Sequence, residues 1–187
     1  YNQVPSLHIG LLVVLWHRYA KAGVGRWPWL TRVWFLLIAV STLTTWQHHF
    51  VDIPTGALTG FFALWLWPEN QRSPLAGWSG NVHPRRRQLA WRYLGAAGLL
   101  TALAWYAGGW AWWLLWVAIA LVLVAACYAV LGPAGFQKRR EDGRLSPAVM
   151  ALAWPYLLGA WCNSRWWTHH HPQADHLLDD VWLGRLP

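Results

Sequence analysis

The sequence predicts an all-α membrane protein, a polytopic helix bundle of about five transmembrane helices plus one interfacial helix. Of its 187 residues, 56% are hydrophobic and only 12% are charged, whereas a soluble domain carries about a quarter charged residues. Its 19 tryptophans are typical of a protein whose rings lie where hydrocarbon meets headgroups. Several apolar runs also approach the roughly 17 to 25 residues that a spanning helix needs. These three observations disfavour a soluble monomer.

Three apolar runs make up the first third of the chain. They cover residues 8–16, which fade through the polar positions 17, 18 and 21, then 29–46 and 51–67. The second and third runs are close to the lower length limit for a membrane-crossing helix, and the first is shorter. A polar segment, 69–88, follows, and it contains several prolines and glycines together with a run of three arginines. We predict this segment to be an extramembrane loop.

The second half of the chain begins with two apolar runs, 93–107 and 110–131, joined by a pair of glycines. The second run is long enough to span a bilayer, so the pair is predicted to form a transmembrane hairpin. A sixth run, 145–162, is shorter, contains two prolines and is followed by Trp166 and Trp167. We expect this run to form a helix lying in the membrane interface rather than a sixth crossing.

These runs divide the chain into four predicted parts. They are a catalytic core that is incomplete at its N-terminus (1–67), a cytoplasmic basic loop (68–91), the transmembrane hairpin (92–131), and a basic loop, interfacial helix and linker (132–187).

The positions of lysine and arginine predict the orientation in the membrane. When five crossings are threaded in order, the basic clusters after runs one, three and five fall on one side, whereas the opposite ends carry neither lysine nor arginine. Because cytoplasmic loops collect these residues, that side is predicted to be cytoplasmic. We therefore interpret the net charge of +8 as a topology signal and expect no nucleic-acid partner. The expected location is a bacterial inner membrane, with the other side facing the periplasm.

A group of polar residues on the outward side carries the candidate chemistry. His48 and Asp52 are four residues apart, so on a helix they would share one face, and the carboxylate could orient the imidazole. His8 begins the first run and would reach the same membrane surface. Such a set fits phosphoryl transfer: His48 as nucleophile, Asp52 as its orienting partner and His8 as the acid that protonates the leaving group.

Other interpretations of these polar residues stay open. A metal site built from His8, His48, His49 and Asp52 is chemically feasible, although we expect neither a metal ion nor another cofactor. The two cysteines show no ligand spacing, and they predict neither a disulfide framework nor a zinc site.

At these positions the sequence resembles the type 2 phosphatidic acid phosphatase superfamily. Residues 5–8 read Pro-Ser-Leu-His and fit one family motif, Pro-Ser-x-His. Ser41, His48 and Asp52 fit a second motif, in which Thr42 stands at the family's arginine position. The combination is most similar to the branch containing inositol phosphorylceramide synthases.

The resemblance implies a membrane lipid phosphatase or phosphotransferase that works through a phosphohistidine intermediate. It implies catalytic roles for His48, His8 and Asp52, a substrate-binding role for Ser6, Ser41 and Thr42, and a lipid phosphate or phospholipid substrate held at the bilayer. The family's lysine and arginine motif would lie before Tyr1, so we expect the chain to be part of a longer protein.

The missing arginine leaves two questions about function. Without a guanidinium at Thr42, a phosphate monoester should lose more binding than a phosphodiester, which slightly favours headgroup transfer over hydrolysis. The alternative function is a non-catalytic membrane anchor or sensor with a degenerate pocket.

The end of the chain carries a weaker resemblance. Residues 178–187 resemble the opening strand of a dual-specificity protein phosphatase domain. A fused cytoplasmic domain of that kind is an expected partner, although its catalytic cysteine loop is not in this chain.

Overall fold

The fold is helical, as the sequence predicts, and ends in a short antiparallel hairpin. A computed structural model of the chain describes residues 5–23, 28–44, 51–69, 71–78, 83–139, 143–170, 175–178 and 181–183. The α-helices within these residues are α1 (Leu7–Ala22), α2 (Pro28–Thr44), α3 (Asp52–Leu66), α4 (Pro84–Ala107), α5 (Leu114–Ala126), α6 (Pro147–Leu152) and α7 (Trp154–Trp167). The strands are β1 (Asp175–Leu178) and β2 (Val181–Leu183).

Helix α1 packs against both α2 and α3. Helix α2 contacts α1 through Phe35, whose ring lies 6.0 Å from that of Trp16 and 5.7 Å from that of Tyr19. Helices α1 and α3 run parallel, because Ser6 contacts Asp52 at one end and Arg18 contacts Glu69 at the other. The start of α1 and the start of α3 therefore lie at the same end of the bundle.

Helices α4 and α5 form the predicted hairpin, stacked through Tyr93 and Tyr128, whose ring centroids are 5.8 Å apart. Helix α4 begins at Pro84, so the arginine run that we assigned to a loop belongs to its first turns. Proline suits the first turn of a helix, and the His83 ring accepts a hydrogen bond from the Arg85 N–H at 3.3 Å. The helix therefore begins here despite the repulsion among the three neighbouring arginine side chains.

The sixth apolar run forms two helices rather than the single interfacial helix that we expected. Helix α6 ends at Leu152, and α7 starts at Trp154 with Pro155 in its first turn. Proline is tolerated there but lacks the N–H that would continue the preceding helix, which explains the break. The short α6 is buried through Ala148, Val149 and Leu152.

The core lies where the two halves of the chain meet. Trp65 of α3 packs against Cys127, Leu131, Val149 and Leu152. Its indole Nε1–H donates to the Gly135 carbonyl oxygen at 2.8 Å. The hydrogen bond satisfies the one polar group of a buried ring and fixes the end of α3 against the turn after α5.

Five membrane crossings are not confirmed. Among the described residues, one helical stretch, Gly109–Phe136, is long and apolar enough to cross a bilayer, with a mean hydropathy of 2.8 in its best window. Trp29–Thr44 in α2 is apolar but shorter. Helices α1 and α3 have only 16 and 15 residues, and α4 carries arginines, which lower its mean hydropathy.

Candidate active site

The candidate site lies at the end of the bundle where α1 and α3 begin. The Ser6 backbone N–H donates to the Asp52 carbonyl oxygen at 3.3 Å, and the two residues are only 1% and 0% exposed. Ser6 comes from the first motif and Asp52 from the second, and 45 residues separate them in the sequence. The fold therefore brings together one residue from each motif.

Local sequence explains why each of these residues begins a helix. Ser6 is the N-cap of α1, and its hydroxyl oxygen accepts a hydrogen bond from the Ile9 N–H at 3.5 Å. Asp52 is the first residue of α3, where the partial positive charge of a helix N-terminus favours a carboxylate. Both residues thus have a structural role besides any chemical one.

Glycines allow α1 and α3 to approach closely beneath this pair. A Cβ atom added to Gly56 would lie 2.5 Å from the Ser6 carbonyl oxygen, and one added to Gly60 would lie 2.6 Å from the Gly10 carbonyl oxygen. Neither distance can accommodate a side chain without separating the helices. Small residues at these positions therefore set how close Ser6 lies to Asp52.

The histidines of the predicted site are described only in part. His8 is exposed in the first turn of α1, two residues after Ser6. His48 and His49 lie outside the described residues, so the predicted orientation of His48 by Asp52 stays a prediction.

Ser41 and Thr42 lie in the last turn of α2 and use their hydroxyl groups locally. The Ser41 Oγ donates to the Ile38 carbonyl oxygen, and the Thr42 Oγ1 donates to the Ala39 carbonyl oxygen, both at 2.7 Å. Ser41 is exposed, whereas Thr42 is 5% exposed. Thr42 thus offers no charged group at the position where the motif that the sequence resembles has an arginine.

An ion-pair cluster lies at the other end of α1 and α3. Glu69 accepts from Arg18 at 2.6 Å and from Lys21 at 3.4 Å. Partial burial alone would raise the pKa of the Glu69 carboxyl, but the hydrogen bond from Lys21 and the positive charges of both partners outweigh it and lower that pKa below its ordinary value. The cluster holds the ends of the two parallel helices together.

Among the residues that the structure describes, no group of three or more histidine, cysteine, aspartate or glutamate side chains lies close enough to bind a metal ion. This finding does not extend to His48 and His49. The metal alternative that includes them stays untested.

Two structural features were missed by the sequence analysis. Gln137, buried at 4% exposure, links the Trp65 carbonyl oxygen to the Ser146 hydroxyl, but the basic residues that follow it predict an exposed loop. The close contact at Gly56 and Gly60 could have been found, because a Gly-x-x-x-Gly spacing in an apolar run is a known signal of close helix packing.

Comparisons with protein-family profiles, curated proteins and solved structures found no match to this chain.

Proposed function

We propose that this chain is the membrane unit of a lipid phosphatase or phosphotransferase that works through a phosphohistidine formed on His48. The observation that carries the proposal is the contact between Ser6 and Asp52. Ser6 and Asp52 are distant in sequence and are expected to act at one site. They lie at the starts of two neighbouring helices, α1 and α3. A buried carboxylate at such a position is costly to keep for packing alone, which favours a functional role.

The proposed reaction has two displacement steps. An imidazole nitrogen of His48 attacks phosphorus, the phosphorus–oxygen bond to the leaving group breaks, and His8 donates a proton to the departing alkoxide. Water or a second alcohol then attacks the phosphohistidine, His8 accepts the proton of that nucleophile, and His48 is regenerated. Asp52 orients the His48 ring and stabilises its positive charge.

We propose that five segments of the chain cross the membrane. Exposed apolar side chains occupy one face of α2, a little under half of its circumference, as in a helix that faces lipid on one side. They are Trp29, Leu30, Val33, Trp34, Leu36, Leu37 and Val40. The 17 residues of α2 would reach about 26 Å, so the bilayer would have to thin locally around it.

The orientation that we propose places the candidate site on the periplasmic side. Ser6 and Asp52 lie at one end of α1 and α3, and the basic residues Arg18 and Lys21 lie at the other. Lysine and arginine favour the cytoplasmic side. The substrate would therefore enter from the outer leaflet of a bacterial inner membrane.

The test of this proposal is turnover of lipid phosphates by the full gene product in membranes. We expect His48→Ala to abolish phosphate release or headgroup transfer, whereas His49→Ala, a change to the neighbouring imidazole, should leave most activity. Comparable activity of wild type and the His48→Ala variant would contradict the proposal.

One observation favours the alternative of a non-catalytic anchor for a cytoplasmic phosphatase domain. Thr42 is buried and its hydroxyl is bound to its own helix, so it cannot replace the charge of an arginine on phosphate. An active site would need cationic groups from elsewhere in the protein. Absence of any lysine and arginine motif upstream in the gene would favour the anchor.

A further inference from the structure

Exposed basic side chains collect at the end of the bundle opposite Ser6 and Asp52, which we call the basic end. Contacts among the described residues define this end. Glu69 joins the end of α1 to that of α3, Trp65 joins α3 to the turn after α5, and the close approach of Gly77 to Leu131 adds the segment before α4. The exposed basic residues there are Arg18, Lys21, Arg72, Arg85, Arg86, Arg87, Arg92, Lys138, Arg139 and Arg144.

Acidic residues are fewer than basic residues in the described part of this end. In the described helices and connections up to residue 170, the acidic residues are Asp52, at the other end, and Glu69. Glu69 is itself bound to Arg18 and Lys21. In the sequence, Glu141 and Asp142 lie between Arg139 and Arg144 and can offset their charge. The other exposed basic residues, above all Arg85, Arg86 and Arg87, give this end a concentrated positive charge that can attract anions from solution or from a surface.

Exposed tryptophans accompany the arginines. Trp67 follows α3, Trp78 follows the turn at Pro74–Gly77, and Trp91 lies in the second turn of α4, with exposures of 72%, 65% and 65%. Indole rings concentrate at the level of lipid headgroups, and basic residues just beyond that level meet phosphate groups. This pairing favours a lipid surface over a nucleic acid.

We propose that the basic end binds the anionic headgroups of the leaflet that it faces, so that the protein retains acidic phospholipids in preference to zwitterionic ones. Each lysine or arginine close to an acidic surface should strengthen binding about fivefold. Lipid binding at the basic end does not depend on catalysis by His48, so an experiment can refute either proposal without refuting the other.

The experiment compares binding of phosphatidylglycerol and phosphatidylcholine to the purified chain in detergent, with bound lipid counted by native mass spectrometry. We expect phosphatidylglycerol to bind at least about tenfold more tightly in low salt, and high salt should remove most of that preference. The variant R85Q/R86Q/R87Q should lose most of the preference. The charge-keeping variant R85K/R86K/R87K should retain it, and so should Arg165→Gln, which removes an arginine that lies over the Trp161 ring instead.

Three results would overturn the proposal. The first is equal binding of the two lipids by the wild-type chain, and the second is tighter binding of duplex DNA than of phosphatidylglycerol vesicles at the same salt. The third is an unchanged preference in a triple glutamine variant whose helix content by circular dichroism matches wild type. If that variant does not fold, the salt dependence of the wild-type chain decides: a preference that persists in high salt would overturn the proposal.

Discussion

Ser6 contributes to the fold through both its side chain and its backbone. Its hydroxyl oxygen caps α1, and its backbone N–H donates to the Asp52 carbonyl oxygen. Replacing the side chain would remove the cap, whereas the backbone N–H would remain. His8 is exposed in the first turn of the same helix. Because Ser6 is the N-cap of α1 and is buried, we expect a variant of Ser6 to disturb the helix start more than a variant of the exposed His8.

The role of His8 as proton donor predicts a dependence on the leaving group. His8→Ala should reduce turnover of a lipid with an alkoxide leaving group by about 100-fold or more, because proton donation contributes a factor of that order. A substrate whose leaving group needs no proton, such as a nitrophenolate, should lose much less. Rates measured for both substrates in wild-type and variant membranes check this. Equal losses would contradict the role of His8 as the acid.

At the scale of elements, the contact between α1 and α3 determines the candidate site. The two helices run parallel and touch at Gly10, Gly56 and Gly60, and their ends are joined at Glu69. The geometry at Ser6 and Asp52 follows from this packing.

Gly56→Ala should separate the two helices. Its Cβ would lie 2.5 Å from the Ser6 carbonyl oxygen and 3.0 Å from the Ile9 Cβ, so we expect a loss of about 1 to 3 kcal/mol in stability. Thermal unfolding in detergent measures this loss. The matched control is Gly95→Ala in α4, where a Cβ meets nothing within 4 Å and alanine should raise stability by up to about 1 kcal/mol. Equal melting temperatures for the two variants would contradict the packing argument.

The ion pair at Glu69 predicts a pH dependence of stability. Because its folded-state pKa lies below the ordinary value of 4.5, the pair stabilises the fold above that value and loses its effect as the pH falls through the lowered pKa. The benefit is small, below about 1 kcal/mol, since Arg18 and Lys21 are largely exposed. Glu69→Gln should therefore lower the melting temperature at pH near 6 and have no effect in strong acid. A difference in melting temperature between wild type and Glu69→Gln that grew as the pH fell would contradict this prediction.

Helix order and the pairing of helix ends could be predicted from hydrophobic runs and breakers, as the hairpin of α4 and α5 illustrates. The start of α4 could not, because an arginine run favours a loop and only His83 and Pro84 signalled a helix start. The split between α6 and α7 was also missed, since a proline in the first turn and one within a helix look alike in sequence. Gln137 was missed because its burial depends on distant partners, Trp65 and Ser146.

At the scale of the whole molecule, the candidate site and the exposed basic residues lie at opposite ends of the helix bundle. The Ser6 and Asp52 contact is at one end, and the basic end carries the exposed arginines. A protein with this polarity, placed in a bilayer by its apolar surface, would expose the two ends to different compartments.

Cysteine labelling tests that arrangement. In a Cys162→Ser background, which leaves only the buried Cys127, a membrane-impermeant maleimide should label Gly109→Cys in spheroplasts, whose inner membrane stays sealed. Arg85→Cys should be labelled only after the cells are opened. Gly109 lies in the connection between α4 and α5, at the end of the hairpin away from Arg85. Labelling of Arg85→Cys from outside would contradict both the topology and the periplasmic site.

The central claim is that His48 carries the phosphoryl group, and trapping the covalent intermediate tests it most directly. The full gene product is mixed briefly with a phosphorus-labelled lipid, quenched in alkali, which preserves phosphohistidine, and digested for peptide mapping. We predict label on the peptide containing His48 and none in the His48→Ala variant. Continued turnover with no label on His48, or label found on Asp52 instead, would contradict the mechanism.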